Sequence, residues 1–252
     1  MSDKIQPRGS DDTTFAQPLY TPIKRRSFFM YAGATAGATA LVLAGCSDDN
    51  EDVAPNNGIP LGAGDVGVLN YAYALEQLEA AFYAQVKALT PVGGTGLAQI
   101  EKDYFNEVAA HEAIHRDFFK AAINRDAPGK ILQNLTPNFT NIDFTKRLKS
   151  ASDTRLGVLD AAKAFEDLGV AAYNGAGKLI KTPAYLVIAG QIVSVEARHA
   201  AYVRELVTPG SFASDDIVDR VSGLDKAMTP VDVIAAAQGF IMEKLDASTV
   251  GK

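Results

Sequence analysis

The sequence predicts an all-α protein: a four-helix bundle with a long crossover between the second and third helices and an extra C-terminal helix. Three observations carry this. Apolar residues recur at helical spacing in four segments of bundle length. Strand-like alternation is absent. Each of the four segments also sets one glutamate on its apolar stripe.

The first segment runs from about Asp65, a residue suited to an N-cap, to Leu89, and Thr90-Pro91-Val92-Gly93-Gly94 ends it. Leu69, Ala72, Tyr73, Glu76, Ala80 and Tyr83 share one of its faces. The second, from about Leu97 to Asn124, places Phe105, Val108, Glu112, His115 and Phe119 together. Arg125 to Ser150 is rich in Pro, Asn and Thr and too long for a tight turn, so it is expected to cross over between the two halves of a bundle. The third helix starts near Ser152 or Asp153 and fades at Leu179, with Leu159, Ala162, Glu166, Val170 and Tyr173 on one face. Thr182-Pro183 caps and opens the fourth, which ends before Pro209 and lines up Ala189, Ile192, Val193, Glu196, His199 and Val203. A fifth helix is expected from Pro230 to Leu245, burying Val231, Ile234, Ala237, Ile241 and Leu245 on the outside of the bundle.

Two of the three histidines follow a glutamate by three residues, in Glu112-Ala113-Ile114-His115 and Glu196-Ala197-Arg198-His199. On a helix such residues stand on adjacent turns of one face. One Glu from each of two helices, plus a Glu-x-x-His pair from each of the other two, is the ligand set of a dinuclear carboxylate centre. Glu76 and Glu166 supply the remaining pair, and each precedes a tyrosine, Tyr83 or Tyr173, by seven residues. A buried carboxylate without a partner costs several kcal/mol, and no lysine or arginine falls on these faces. Two divalent cations, iron or manganese by the hardness of the ligands, would balance four carboxylates exactly in charge.

The expected metal ligands are therefore Glu76, Glu112, His115, Glu166, Glu196 and His199, with Glu112 and Glu196 bridging and forming the catalytic pair. Tyr83 and Tyr173 are expected to hydrogen-bond ligating carboxylates. Glu79, one turn from Glu76, could replace or supplement it, but its counterpart by internal alignment is Gly169. His111 has no counterpart in the fourth helix, where Val195 stands, and is read as supporting or half-exposed. His111-Glu112-Ala113-Ile114-His115 also fits the HExxH pattern of zinc metalloproteases. That rival needs a third ligand and a substrate-lining strand, and it leaves Glu76, Glu166, Glu196 and His199 unexplained.

Ala74-Leu75-Glu76-Gln77-Leu78-Glu79-Ala80-Ala81-Phe82-Tyr83, His111-Glu112 to His115, Phe165-Glu166-Asp167-Leu168-Gly169-Val170-Ala171-Ala172-Tyr173 and Glu196 to Tyr202 together resemble the ferritin-like proteins related to plant desiccation-related proteins. The likeness covers about Val66 to Val207. It implies a ferritin-like four-helix bundle with a di-iron or di-manganese centre. The expectation that follows is a protein reacting with O2 or H2O2, as a ferroxidase, peroxidase or catalase-like enzyme of oxidative or desiccation stress. The alternative is a non-enzymatic stress protein whose metals only staple the bundle.

Lys24-Arg25-Arg26-Ser27-Phe28-Phe29-Met30, followed by an uncharged stretch, resembles a bacterial twin-arginine signal, and Leu43-Ala44-Gly45-Cys46 resembles a lipobox. A plain membrane anchor over residues 28–45 is the competing reading, at the lower edge of spanning length. The division expected is a signal over 1–45, a flexible acidic tether over 46–64, the bundle over 65–207, and a C-terminal loop and helix over 208–252. Export would place the chain in the bacterial envelope, periplasm or outer surface, held to the membrane through lipidated Cys46. The net charge of −6 becomes −8 without residues 1–45, which argues against nucleic acid as a partner. Cys46 is the sole cysteine, so no internal disulfide can form. A closed shell could not present all its anchors to one bilayer, which favours a monomer or small homo-oligomer.

Overall fold

The structure is a computed structural model that describes residues 58–89 and 96–252. The arginine pair, the lipobox with Cys46 and residues 46–57 of the expected tether lie outside the described residues. Strand β1 (Ile59–Pro60) leads into helix α1 (Gly64–Leu89), and then come α2 (Gln99–Asp126), α3 (Val158–Ala176) and α4 (Pro183–Val207). A short helix α5 (Pro230–Ala237) and strand β2 (Leu245–Asp246) complete the chain. The architecture is all-α, as the periodicity requires. Among the described residues no helix is long and apolar enough to cross a membrane.

α1 packs mainly on α2, and α3 on α4. Side-chain pairings fix the relative directions. Glu76 meets Tyr173 while Tyr83 meets Glu166, so α1 and α3 run antiparallel. His111 meets His199 while His115 meets Glu196, so α2 and α4 do too. Only a long crossover permits that arrangement.

α1 is the central helix. Every residue from Gly67 to Ala80 is buried, where the sequence reading expected a single apolar stripe. The crossover covers the other side, and two amides seven residues apart hold it there. Asn70 Nδ2 donates to the carbonyls of Leu61 (3.0 Å) and Lys130 (2.9 Å), and its Oδ1 accepts from Leu132 N (2.8 Å). Gln77 accepts from Leu135 N (2.9 Å) and donates to Gln133 O (3.3 Å). These bonds satisfy backbone groups of a segment that has no ladder of its own. Farther along, Arg147 ties the crossover to both flanking helices through Glu101 of α2 (2.6 Å) and Leu206 O of α4 (2.9 Å).

One end of the bundle is filled with aromatic rings. Phe82, with no accessible surface, lies edge-on to Phe165 (5.1 Å), Phe139 (6.0 Å) and Phe105 (6.4 Å), and Phe165 meets Phe240 at 4.9 Å. Such pairs stabilise by about 0.5–1.5 kcal/mol each beyond burial. They lock the crossover and the C-terminal segment onto the helices beside Tyr83 and Glu166.

Four details of the element ends differ from the sequence reading, three through side-chain hydrogen bonding and one through backbone pairing. Asp65 does not cap its own helix, since its carboxylate accepts from the backbone N–H groups of Lys181 and Thr182 at the start of α4. Ser150 and Asp153 close a local turn instead of opening α3, which begins at Val158 with Asp160 accepting from Gly157 N. The fifth helix stops at Ala237, because the Gln238 amide bonds Ile241 O, Glu243 O and Leu245 N and turns the chain into β2. Ile234, Ala237, Ile241 and Leu245 are still buried, but Val231 is 54% exposed. Residues 58–64 are not part of a flexible tether: β1 pairs in parallel with β2, with Ile59 opposite Leu245. Gly175 is required for a close approach, because a Cβ there would lie 1.7 Å from Met228 O, on the segment leading to α5.

Candidate metal centre

Glu76, Glu112, Glu166 and Glu196 come from four different helices and have no accessible surface; His115 and His199 are buried at 9% and 6%. Their donor atoms form two groups, Glu76, Glu112, His115, Glu196 and Glu112, Glu166, Glu196, His199, and within each the atoms lie inside 4.8 Å of one another. His115 Nδ1 faces Glu196 Oε1 (2.8 Å), Glu112 Oε2 (3.4 Å) and Glu76 Oε2 (3.7 Å). His199 Nδ1 faces Glu112 Oε1 (3.0 Å), Glu166 Oε2 (3.4 Å) and Glu196 Oε2 (3.6 Å). Glu112 and Glu196 thus send one oxygen to each group, while Glu76 and Glu166 each belong to one. Helical spacing produces this, because each Glu-x-x-His pair projects from adjacent turns of one face.

The outer carboxylates are held crosswise. Tyr173 of α3 donates to Glu76 Oε1 of α1, and Tyr83 of α1 donates to Glu166 Oε1 of α3. Each tyrosine orients the glutamate of the facing helix and leaves the other carboxylate oxygen for the centre. The six donors and two tyrosines follow a twofold repeat, which Glu79 breaks. Glu79 is buried at 4% outside both donor groups, and it faces Gly169, where a Cβ would stand 3.2 Å from its Oε1. Glycine there leaves room for the carboxyl.

Electrostatics set the protons of the metal-free site. Burial pushes the Glu76 and Glu166 carboxyls well above the ordinary range; the charges of Glu196 and Glu112 add to this, and a bond from His199 partly opposes it at Glu166. Burial pushes Glu79 the same way. At Glu112 burial acts upward too, but bonds from His115 and His199 outweigh it and hold the carboxylate down at about 2. Burial works against charge on the imidazoles, yet the surrounding carboxylates raise His115 to about 9 and His199 to about 12.

The donor set fits a pair of divalent ions. Eight buried atoms of these six residues have no hydrogen-bond partner of good geometry among the described residues and approach only one another: Glu76 Oε2, both oxygens of Glu112 and Glu196, Glu166 Oε2, and the Nδ1 atoms of His115 and His199. Orphaned buried groups are rare in folded proteins, and so many converging on one point is what a metal centre requires.

His111 belongs to neither group. Its Nδ1 lies 2.9 Å from His199 Nε2, the ring is stacked on His199 at 5.1 Å, and Nε2 sits 3.6 Å from Glu107. It therefore steadies the far side of the His199 ring, and His111 and His115 do not converge as an HExxH zinc site would need. Tyr104 escaped the sequence reading. It is buried on α2, its hydroxyl 3.1 Å from that of Tyr83 and 3.4 Å from His199 O, so it extends the support of Glu166. Its place two turns before Glu112 is the signal that could have found it.

A family model described as ferritin-like domain matches residues 64–209. None of the curated proteins compared with the chain matches it. The matched region takes in all four bundle helices and all six converging residues, and it spans more than half of the sequence; the chain belongs to the ferritin-like domain family.

Proposed function

We propose that this chain is a dinuclear iron or manganese protein of the bacterial envelope that reacts with O2 or H2O2 as a ferroxidase, peroxidase or catalase-like enzyme in oxidative or desiccation stress. The observation that carries the reading is the set of eight buried donor atoms that meet only one another among the described residues, arranged as two groups that share Glu112 and Glu196. In this reading Glu76, Glu112 and Glu196 with His115 would hold one ion and Glu112, Glu166 and Glu196 with His199 the other, since Glu112 and Glu196 belong to both donor groups. Bound iron or manganese would supply one-electron redox steps at two adjacent ions, which suits a two-electron oxidant. The protein's own contribution is a dry, pre-arranged cage. Tyr173 and Tyr83 keep the outer carboxylates turned inward, and His111 keeps His199 in register. The packed core around the four buried glutamates keeps bulk water away, which strengthens every charge interaction inside.

Export and lipid anchoring rest on Arg25-Arg26 and on Leu43-Ala44-Gly45-Cys46. A flat membrane contact through Cys46 favours a monomer or small homo-oligomer, and the acidic balance argues against a nucleic-acid partner. The test is turnover. Iron- or manganese-loaded protein should consume Fe2+ with O2, or H2O2, faster than the same concentration of free metal. If it does neither, the redox reading falls, and a large drop in melting temperature on chelation would then mark the metals as structural staples.

A further inference from the structure

The two ends of the bundle are packed differently. Where Phe82 and its neighbours fill one end, the other keeps a cavity of about 30 Å³, where Ala72 of α1, Ala172 and Ala176 of α3 and Ala189 of α4 stand among larger side chains such as Phe119 and Tyr173. That is room for roughly two water-sized spheres. Its walls are almost wholly apolar, and the half-buried Ile188 and Ala189 of α4 belong to its rim, together with Phe118, Ile180 and Tyr185.

Three tyrosines line this cavity. The hydroxyl of Tyr173 is engaged by Glu76 and that of Tyr185 by Asp126. Tyr71 is 1% exposed, and its hydroxyl has no hydrogen-bond partner among the described residues. An ordered water needs two to four polar partners, and a single free hydroxyl does not supply them, so the space stays dry. A dry, gas-sized cavity takes up a small apolar molecule, and one free O–H can donate a hydrogen bond to a weak acceptor on it. Hydrogen peroxide, which carries two hydroxyls to satisfy, is a poor occupant of such walls. The inner wall is the ring of Tyr173, whose hydroxyl touches the metal-facing Glu76.

We propose that this cavity is a docking site for dioxygen, which reaches the dinuclear centre past Tyr173 and makes O2, not H2O2, the oxidant. The inference rests on the redox reading of the same centre and narrows it to one substrate.

Xenon is the probe, because it reports the cavity without any turnover. Crystals of the full chain under xenon pressure should show a single strong peak between Tyr71, Ala72 and Ala176. In solution, Ala189→Leu at the rim should raise the KM for O2 several-fold while kcat at saturating O2, metal content and any peroxide-driven turnover stay as in the wild type. Ala176→Leu, which fills the cavity from within, should abolish the xenon peak. An active wild-type protein that binds no xenon there overturns the docking site and leaves the redox reading intact. Xenon binding with an unchanged KM for O2 in Ala189→Leu overturns the route. Xenon binding in a loaded protein that turns over neither oxidant overturns the redox reading, and the route with it.

Discussion

Loading the centre with metal should expel protons, and their number follows from the charges around it. In the metal-free chain His115 and His199 are held up at about 9 and 12, which favours imidazolium at neutral pH, and burial pushes Glu76 and Glu166 toward the protonated form. Two divalent ions bring four positive charges. Release of four protons leaves the net charge of the buried site unchanged, which a low-dielectric interior favours strongly. Between two and four protons should therefore leave per pair of ions, with two as the floor set by the imidazoles alone. If one to two protons leave per ion, affinity rises about 10- to 100-fold per pH unit between pH 6 and 8, or roughly 1.4 to 3 kcal/mol. Calorimetric titration with Mn2+ in two buffers of different ionisation enthalpy counts the protons directly. The sign is also fixed for the metal-free protein. A histidine raised above its ordinary value of 6.5 gives its full stabilisation below that pH and loses it as pH climbs through the raised value. The metal-free melting temperature should fall between pH 6.5 and 9, where the loaded protein should not follow it. Metal binding without proton release, at pH-independent affinity, would refute this picture of the site.

Removing the hydroxyl of Tyr83 or Tyr173 by substitution with Phe should weaken metal binding about 10- to 100-fold, measured by competition with a chelating dye, with the helical circular-dichroism signal unchanged. His111→Ala should keep both metals, at an affinity lowered within the same range, whereas complete loss would favour the zinc-protease reading. Asn70→Leu leaves Leu61 O, Lys130 O and Leu132 N unpaired, and it should lower stability to denaturant by roughly 3 kcal/mol without altering metal content, because it acts on the crossover and not on the centre.

The helices and their inward glutamates could be read from the sequence because both depend on local periodicity: a residue on an apolar stripe stays on one face whatever packs against it. The internal repeat pairs Gly169 with Glu79 by alignment, but it does not show that the two face each other across the bundle. What the sequence hid is non-local or runs against the apolar pattern. Asn70 and Gln77 look like surface polar residues until the crossover lies over α1 and takes their amides. Nothing near Ile59 announces its pairing with Leu245. The break at Gln238 needs one side chain to outcompete a helical pattern that Ile241 and Leu245 would otherwise continue. Nor can periodicity show the cavity beside Tyr71, which is lined by residues that separate helices bring together.

The most direct measurement is elemental analysis of protein folded in the presence of excess manganese or iron and then freed of loose metal. Two tightly held ions per chain are expected in the wild type, and close to none in Glu112→Ala, since that carboxylate reaches both donor groups. A wild-type chain that stays empty, or a Glu112→Ala variant that keeps both ions, would contradict a shared centre built by these six side chains.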